Sequence, residues 1–322
     1  MNSSVYEKVS HAEITTMPRS WLATLAMTGL LSTILLIMVG SFVRVSGNGL
    51  GCPDWPLCYG RAVPPLEIGA WVEFSHRLLG GIVALQVAAI AFLARRHYRD
   101  NKVIWYTAAA TGIALIIQVS LGGLHVLNEL PRWTGLIHTG VAMAIAGLLA
   151  VLVAVTQPAL QKLSSEAAAL FGKTRLGPGT AAGAAATYLL LLTGSLVTRT
   201  GASLACPSFP HCGVADIPES LQALMTIQMI HRFTAFTVAF IIILAIWQLL
   251  KHGRESKTVK QLAFGLAILL LLQFGLGISN VLLALPMWSR VLHLGVGGSI
   301  WALMVILAVT LNGNSEQSTS SP

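Results

Sequence analysis

The sequence predicts an all-α membrane protein, with eight transmembrane helices set out as two tandem, pseudo-two-fold-related four-helix bundles. Three observations carry this. Of 322 residues, 55% are hydrophobic and only 10% charged, against about 25% charged in soluble domains. Apolar runs of roughly 20 residues, the length that crosses a bilayer, recur eight times. Finally, two stretches of the first half reappear in the second half in the same order.

The apolar runs lie near 20–44, 70–94, 103–127, 133–156, 181–200, 221–249, 260–283 and 289–311. Residues 1–19 are polar, and the first run is long enough to span, so no cleavable leader is expected. The segment 40–58, GSFVRVSGNGLGCPDWPLC, aligns without a gap with 194–212, GSLVTRTGASLACPSFPHC, sharing nine of 19 positions. Likewise 118–138, QVSLGGLHVLNELPRWTGLIH, shares nine of 21 positions with 273–293, QFGLGISNVLLALPMWSRVLH. Each half therefore holds four spans, an even number, and both enter the membrane from the same side. The axis relating them runs along the membrane normal. The polar stretch 157–180 separates the halves, giving expected domains 1–160 and 161–322. The tail 312–322 is Ser- and Asn-rich and expected to be disordered.

Basic residues fix the expected orientation. Lys8, Arg19, Arg95, Arg96, Arg99, Lys102, Lys162, Lys173, Arg175, Lys251, Arg254, Lys257 and Lys260 all fall on one side. Both termini are thus expected in the cytoplasm, in a multi-pass protein of the cell membrane. The remaining seven are all arginines: Arg44, Arg61, Arg77, Arg132, Arg199, Arg232 and Arg290. An outer face with arginine and no lysine suits bidentate carboxylate recognition. Anionic lipid accounts for the net charge of +8, and no nucleic-acid partner is implied.

Four histidines form two pairs of equal spacing. His76 and His138 lie 62 residues apart, as do His231 and His293. The first of each pair opens a His-Arg dipeptide, and the second follows a Leu-Pro-x-Trp turn. In this topology all four fall about 8 Å below the outer surface, at 1.5 Å per residue. Intramembrane ionisable residues mark functional sites, although a lone histidine can simply bond a neighbouring helix. Paired imidazoles on facing helices supply the two axial ligands of a heme iron. Zinc or copper would call for further ligands, and no third one is repeated. No C-x-x-C-H occurs, which excludes covalent heme attachment. His125 matches Asn280 in the repeat and is read as a polar contact; His11, His97, His211 and His252 lie away from the pairs.

The repeat breaks its symmetry three residues before the first histidine of each pair, where Glu73 stands against Gln228. Residues i and i+3 share a helix face, so Glu73 is expected to address the same site as His76. A carboxylate can take a proton or stabilise positive charge, and the amide cannot; the plainer reading is a helix-start glutamate. A reacting N-terminal site and a permanently occupied C-terminal site follow. Arg77 and Arg232 are expected to pair with heme propionates, or else to sit as interfacial arginines. Cys52 with Cys58, and Cys206 with Cys212, form two C-x5-C pairs in outer loops, where disulfides are permitted. Each is read as a structural bridge, with a redox role open for Cys52–Cys58.

The EFSHR segment, the paired HR and LPxW…H segments and the C-x5-C loops together resemble the heme A synthase family over essentially the whole chain. The resemblance implies an oxidoreductase that converts the C8 methyl of heme O to a formyl group, with oxygen from water, giving heme A for cytochrome oxidase. It implies that His76 and His138 hold the substrate heme, that His231 and His293 hold heme b as cofactor, and that Glu73 assists the oxidation. Expected partners are heme O, membrane lipid, heme O synthase and cytochrome oxidase assembly factors, with a homo-oligomer open. The alternatives are a di-heme b electron-transfer cytochrome without substrate conversion and a heme chaperone.

Overall fold

The computed structural model describes residues 19–172, 176–213 and 219–312. The helices are α1 (Arg19–Val45), α2 (Ile68–His97), α3 (Lys102–Leu127), α4 (Arg132–Thr156), α5 (Pro158–Phe171), α6 (Leu176–Thr200), α7 (Glu219–His252), α8 (Lys257–Leu282) and α9 (Met287–Asn312). All but α5 are long and apolar enough to cross a membrane. His11, Lys8, Lys173, Arg175 and the tail beyond residue 312 lie outside the described residues.

Helix starts repeat as the sequence does. Asn101 accepts the Ile104 N–H at the head of α3, and Ser256 accepts the Val259 N–H at the head of α8. Such caps satisfy amides that the first turn leaves without partners. At the far ends of the same helices the chain turns through two consecutive left-handed residues. These are Glu129 and Leu130 in one half, and Ala284 and Leu285 in the other. The Leu130 N–H returns to the His125 carbonyl at 2.8 Å, and the Leu285 N–H to that of Asn280 at 2.9 Å. Pro131 and Pro286 follow, and each launches the helix that carries the second histidine.

Helices α1 to α4 close a ring of neighbours, α1 on α2, α2 on α3, α3 on α4 and α4 on α1; α6 to α9 do the same. The rings meet through α1, α4, α6 and α9, with α4 packed on both α6 and α9 and α1 on α9. These four form the protein's centre: the apolar windows of α4 and α9 are 61% and 56% buried, that of α3 only 11%. Without water to drive helices together, close approach rests on small residues and a few polar contacts. Accordingly Trp301 lies against Gly147 and donates from its indole N–H to the Met143 carbonyl at 2.8 Å. Its neighbour Tyr188, 5.3 Å away between ring centroids, donates to the Gly140 carbonyl.

The polar stretch expected at 157–180 is instead largely helical. Pro158 begins α5, where a missing N–H is harmless, and Leu160, Leu163, Ala167 and Phe171 make a buried stripe. This amphipathic helix packs on α4, α8 and α9 at the end of the bundle opposite the cysteine loops, and crosses the expected 160/161 division. Helix α6 then begins at Leu176, five residues earlier than its apolar run.

Candidate functional site

His76 stands on α2 and His138 on α4, diagonal across the first ring; His231 on α7 and His293 on α9 repeat the arrangement in the second. Within each pair the imidazoles are near enough to interact electrostatically. Each ring rests edge-on against a glycine of the adjoining helix. A Cβ on Gly40 would stand 2.8 Å from Cε1 of His76, and one on Gly194 would stand 3.0 Å from Cε1 of His231. On the other side, a Cβ on Gly122 or Gly277 would come within 3.3 Å of His138 or His293. Four glycines therefore set four ring planes. Gly194→Ala is expected to push the His231 ring aside at a cost of about 1–3 kcal/mol, visible as a changed absorption spectrum of any heme held there. An unaltered spectrum would show that the glycine does not set the ring.

The imidazole nitrogens differ between halves. Thr193 gives its hydroxyl proton to the Leu190 carbonyl, so it accepts from Nδ1–H of His231 at 2.9 Å. That bond fixes the tautomer and leaves Nε2 bare. Val39 occupies the corresponding position in α1, and His76 has no such hydroxyl. Nδ1 of His76, His138 and His293 is buried without a well-formed hydrogen bond among the described residues, although the Leu36 and Gln273 carbonyls lie close to His76 and His293. Gln118 faces Nε2 of His138 at 3.1 Å, and Gln273 that of His293 at 3.4 Å, each with its own Oε1 unbonded. Coordination of a metal through Nε2 would displace these amides.

Above the rings lie the two cysteine loops, closed by disulfides Cys52–Cys58 and Cys206–Cys212 with Cα atoms 4.7 and 4.3 Å apart. Trp55 covers Gly123 of α3, while Phe209 packs on Phe236 at 6.2 Å. Glu73 is 4% exposed, accepts the Cys52 N–H at 2.8 Å and pairs with Arg77 at 2.6 Å. Gln228, equally buried, accepts the Cys206 N–H at 2.6 Å and donates to Ser203. Position, burial and the loop amide they accept are shared; Glu73 adds an ion pair to Arg77 where Gln228 donates to the Ser203 carbonyl.

Arg77 donates to the carbonyls of Cys52, Asp54 and Leu57 as well as to Glu73. Arg232 donates to those of Cys206, Ser208, Pro210 and His211. The two guanidiniums, expected at heme propionates, are committed in this structure to clamping the loops. Glu73 likewise reaches the loop backbone, an engagement that i, i+3 geometry did not reveal. Asp54 adds a local anchor to the first loop, accepting the Tyr59 and Gly60 N–H groups at 2.6 Å each. The Gly60 amide above all holds its carboxyl below the usual range. The contribution of Asp54 to the loop is thus present at neutral pH and lost as pH falls through that lowered value.

A cavity of about 240 Å³ opens in the second ring. It is lined by His231, His293, Gln228, Gln273, Asn280 and Phe209, together with Arg44, Arg199 and Arg290. The sequence placed those last three on the outer face, among seven arginines suited to carboxylate recognition, without singling them out. His125 donates from Nδ1 to Thr134 at 2.5 Å, since the Thr134 hydroxyl itself bonds Pro131. Its ring stacks on His138 with centroids 6.4 Å apart, as a polar neighbour. His97, His211 and His252 stand apart from both pairs.

Among the described residues no three ligating His, Cys, Asp or Glu side chains converge, so a tetrahedral zinc site lacks its ligands. Two diagonal imidazoles in each ring of helices, each seated on a glycine and facing the other across the ring, are the residues that would hold a heme iron. Residues 23–73 and 68–305 match the COX15-CtaA model, described as cytochrome oxidase assembly protein. The chain is 30% identical to a heme A synthase of Shewanella oneidensis, over 92% of this chain and 96% of that one. It is 28% identical to a heme A synthase of Bacillus pumilus, over 84% and 89%. It is also 31% identical to a protoheme IX farnesyltransferase of Thermus thermophilus, over 90% of this chain but only 48% of that longer protein. With the match running through all eight spans, the chain belongs to the COX15-CtaA family of cytochrome oxidase assembly proteins.

Proposed function

We propose that this protein is a heme A synthase that oxidises the C8 methyl of heme O to a formyl group in the cell membrane. The observation that carries the reading is the Glu73/Gln228 exchange at one structural position. At this matched, equally buried position the halves differ by one ionisable group, which a pair of resident electron-transfer hemes would not require. The names borne by the Shewanella and Bacillus relatives favour the same reading over a di-heme cytochrome. The conversion removes four electrons and four protons while one water oxygen enters, R–CH3 + H2O → R–CHO + 4 H⁺ + 4 e⁻, and an external oxidant receives the electrons.

In this reading His76 and His138 hold the substrate, and Glu73 takes protons at the reacting side. His231 and His293 hold heme b, which supplies a one-electron redox centre when bound. The Thr193 bond supports the division, because a ligand with a fixed tautomer suits permanent occupancy. His76, with Val39 in place of that hydroxyl, suits a heme that arrives and leaves. Disulfide-closed loops on the face opposite α5 support a reading in which that face lies outside the cell and the lysine-bearing ends in the cytoplasm. A heme O synthase is the fitting donor of substrate.

Chromatography of hemes extracted from cells that make heme O tests the proposal. Heme A is expected only when this chain is co-produced. Heme O left unconverted, with the protein present and carrying heme b, would leave the cytochrome reading in its place.

A further inference from the structure

Three arginines come together where the two halves meet. Arg44 ends α1, Arg199 lies in the last turn of α6, and Arg290 lies in the first turn of α9. Arg44 is close enough to the other two to feel both charges, and all three line the cavity that holds His231 and His293. Ion pairs among the described residues are Arg77–Glu73 and Lys162–Glu166, neither of them here. None of the three arginines makes a side-chain hydrogen bond to a described residue. Three cations lining one cavity repel one another and lose hydration, an arrangement that calls for an anion between them.

The cluster is not a by-product of the duplication. In the repeat Arg44 matches Thr198, Arg199 matches Val45, and Arg290 matches Gly135. The Arg199 guanidinium fills the space over Gly135, and a Cβ there would displace it. One half thus leaves room for an arginine from the other, and the matching position of the second half carries an arginine itself. The arrangement is a built feature of the seam.

From this geometry we infer that Arg44, Arg199 and Arg290 form a carboxylate-binding cluster that takes the two propionates of the heme at His231 and His293. The inference rests on the heme reading of that site. Planar guanidiniums match carboxylates with paired N–H donors. Arg290 lies three residues before His293 on the same helix and lines the same cavity, so it would stand within reach of a group held by His293. Arg232, which also lines this cavity, donates to its loop, and the cluster adds three guanidiniums without such partners among the described residues.

The test uses the full-length chain, produced in a heme-deficient host and titrated with heme b or with its dimethyl ester, which lacks only the two charges. The unaltered protein is expected to bind heme b at least about tenfold more tightly than the ester, the size of one charge-assisted bond. Arg44→Gln/Arg290→Gln should bind the ester as before and lose that preference, while Arg44→Lys/Arg290→Lys should keep part of it. Equal binding of both forms by the unaltered protein overturns the inference. So does a Gln variant that keeps the preference, or one that loses both forms alike. The same cluster chemistry could serve a lipid phosphate. In that case anionic lipid co-purifying with the protein falls in the Gln variant without any ester discrimination, which also overturns the heme assignment. Uptake of neither form by the unaltered protein overturns the heme reading itself, and the inference with it.

Discussion

Alanine at His231 or His293 is expected to remove most of the heme b from the purified protein. The two residues sit diagonally across the second ring, each held by a glycine, and His231 is fixed further by Thr193. On the proposed reading, loss of either imidazole would remove one of the two side chains that hold the heme iron and would enlarge the cavity that both line. Helix packing should survive, because the centre is built from α1, α4, α6 and α9 and neither ring belongs to the buried apolar core. Thr193→Val, which copies Val39, should act in the same direction more weakly, since second-shell partners of ligating histidines contribute about 10- to 100-fold in affinity. Pyridine hemochrome assays at matched protein concentration measure the loss. Undiminished heme b in both alanine variants would mean that the cofactor is held elsewhere.

Glu73→Gln is expected to lower heme A formation by at least about tenfold, general acid–base groups contributing upward of a hundredfold. The second half already shows that the amide is tolerated here. Gln228 accepts the Cys206 N–H as Glu73 accepts that of Cys52, and Arg232 holds its loop without an acidic partner. The variant should therefore fold, keep its disulfide and keep heme b, losing only the ion pair and the ionisable group. Extracted hemes from heme O-producing cells give the measurement. Full heme A yield at equal enzyme level would reduce Glu73 to a brace of the cysteine loop, beside Arg77.

The span pattern was legible because lipid imposes a length and a composition on every crossing helix, and all eight apolar runs correspond to helices. The histidine pairs were legible because they were duplicated. What was hidden depends on tertiary contact. Helix α5 escaped notice because a 14-residue amphipathic stripe with Ser, Lys and Glu on its other faces reads as a polar linker. The turns at Glu129–Leu130 and Ala284–Leu285 adopt positive φ without the glycine that would announce them. The loop contacts of Arg77 and Arg232 were hidden because their acceptors are carbonyls 20 to 26 residues away, and carbonyls leave no mark in a sequence. Thr193 stands out only beside His231, across two helices, and in sequence it is one threonine in an apolar run. The arginine cluster departs from the repeat, so the alignment that revealed the histidines concealed it.

The central claim is that the halves are chemically specialised, with a substrate heme between His76 and His138 and a permanent heme between His231 and His293. Its most direct test is chromatography of the hemes extracted from a purified His76→Ala/His138→Ala protein made in cells that supply heme O. The account predicts heme b alone, in the amount found in the unaltered protein, with neither heme O nor heme A. Heme O or heme A retained at the unaltered level, or heme b lost as completely as from the His231 variant, would contradict it.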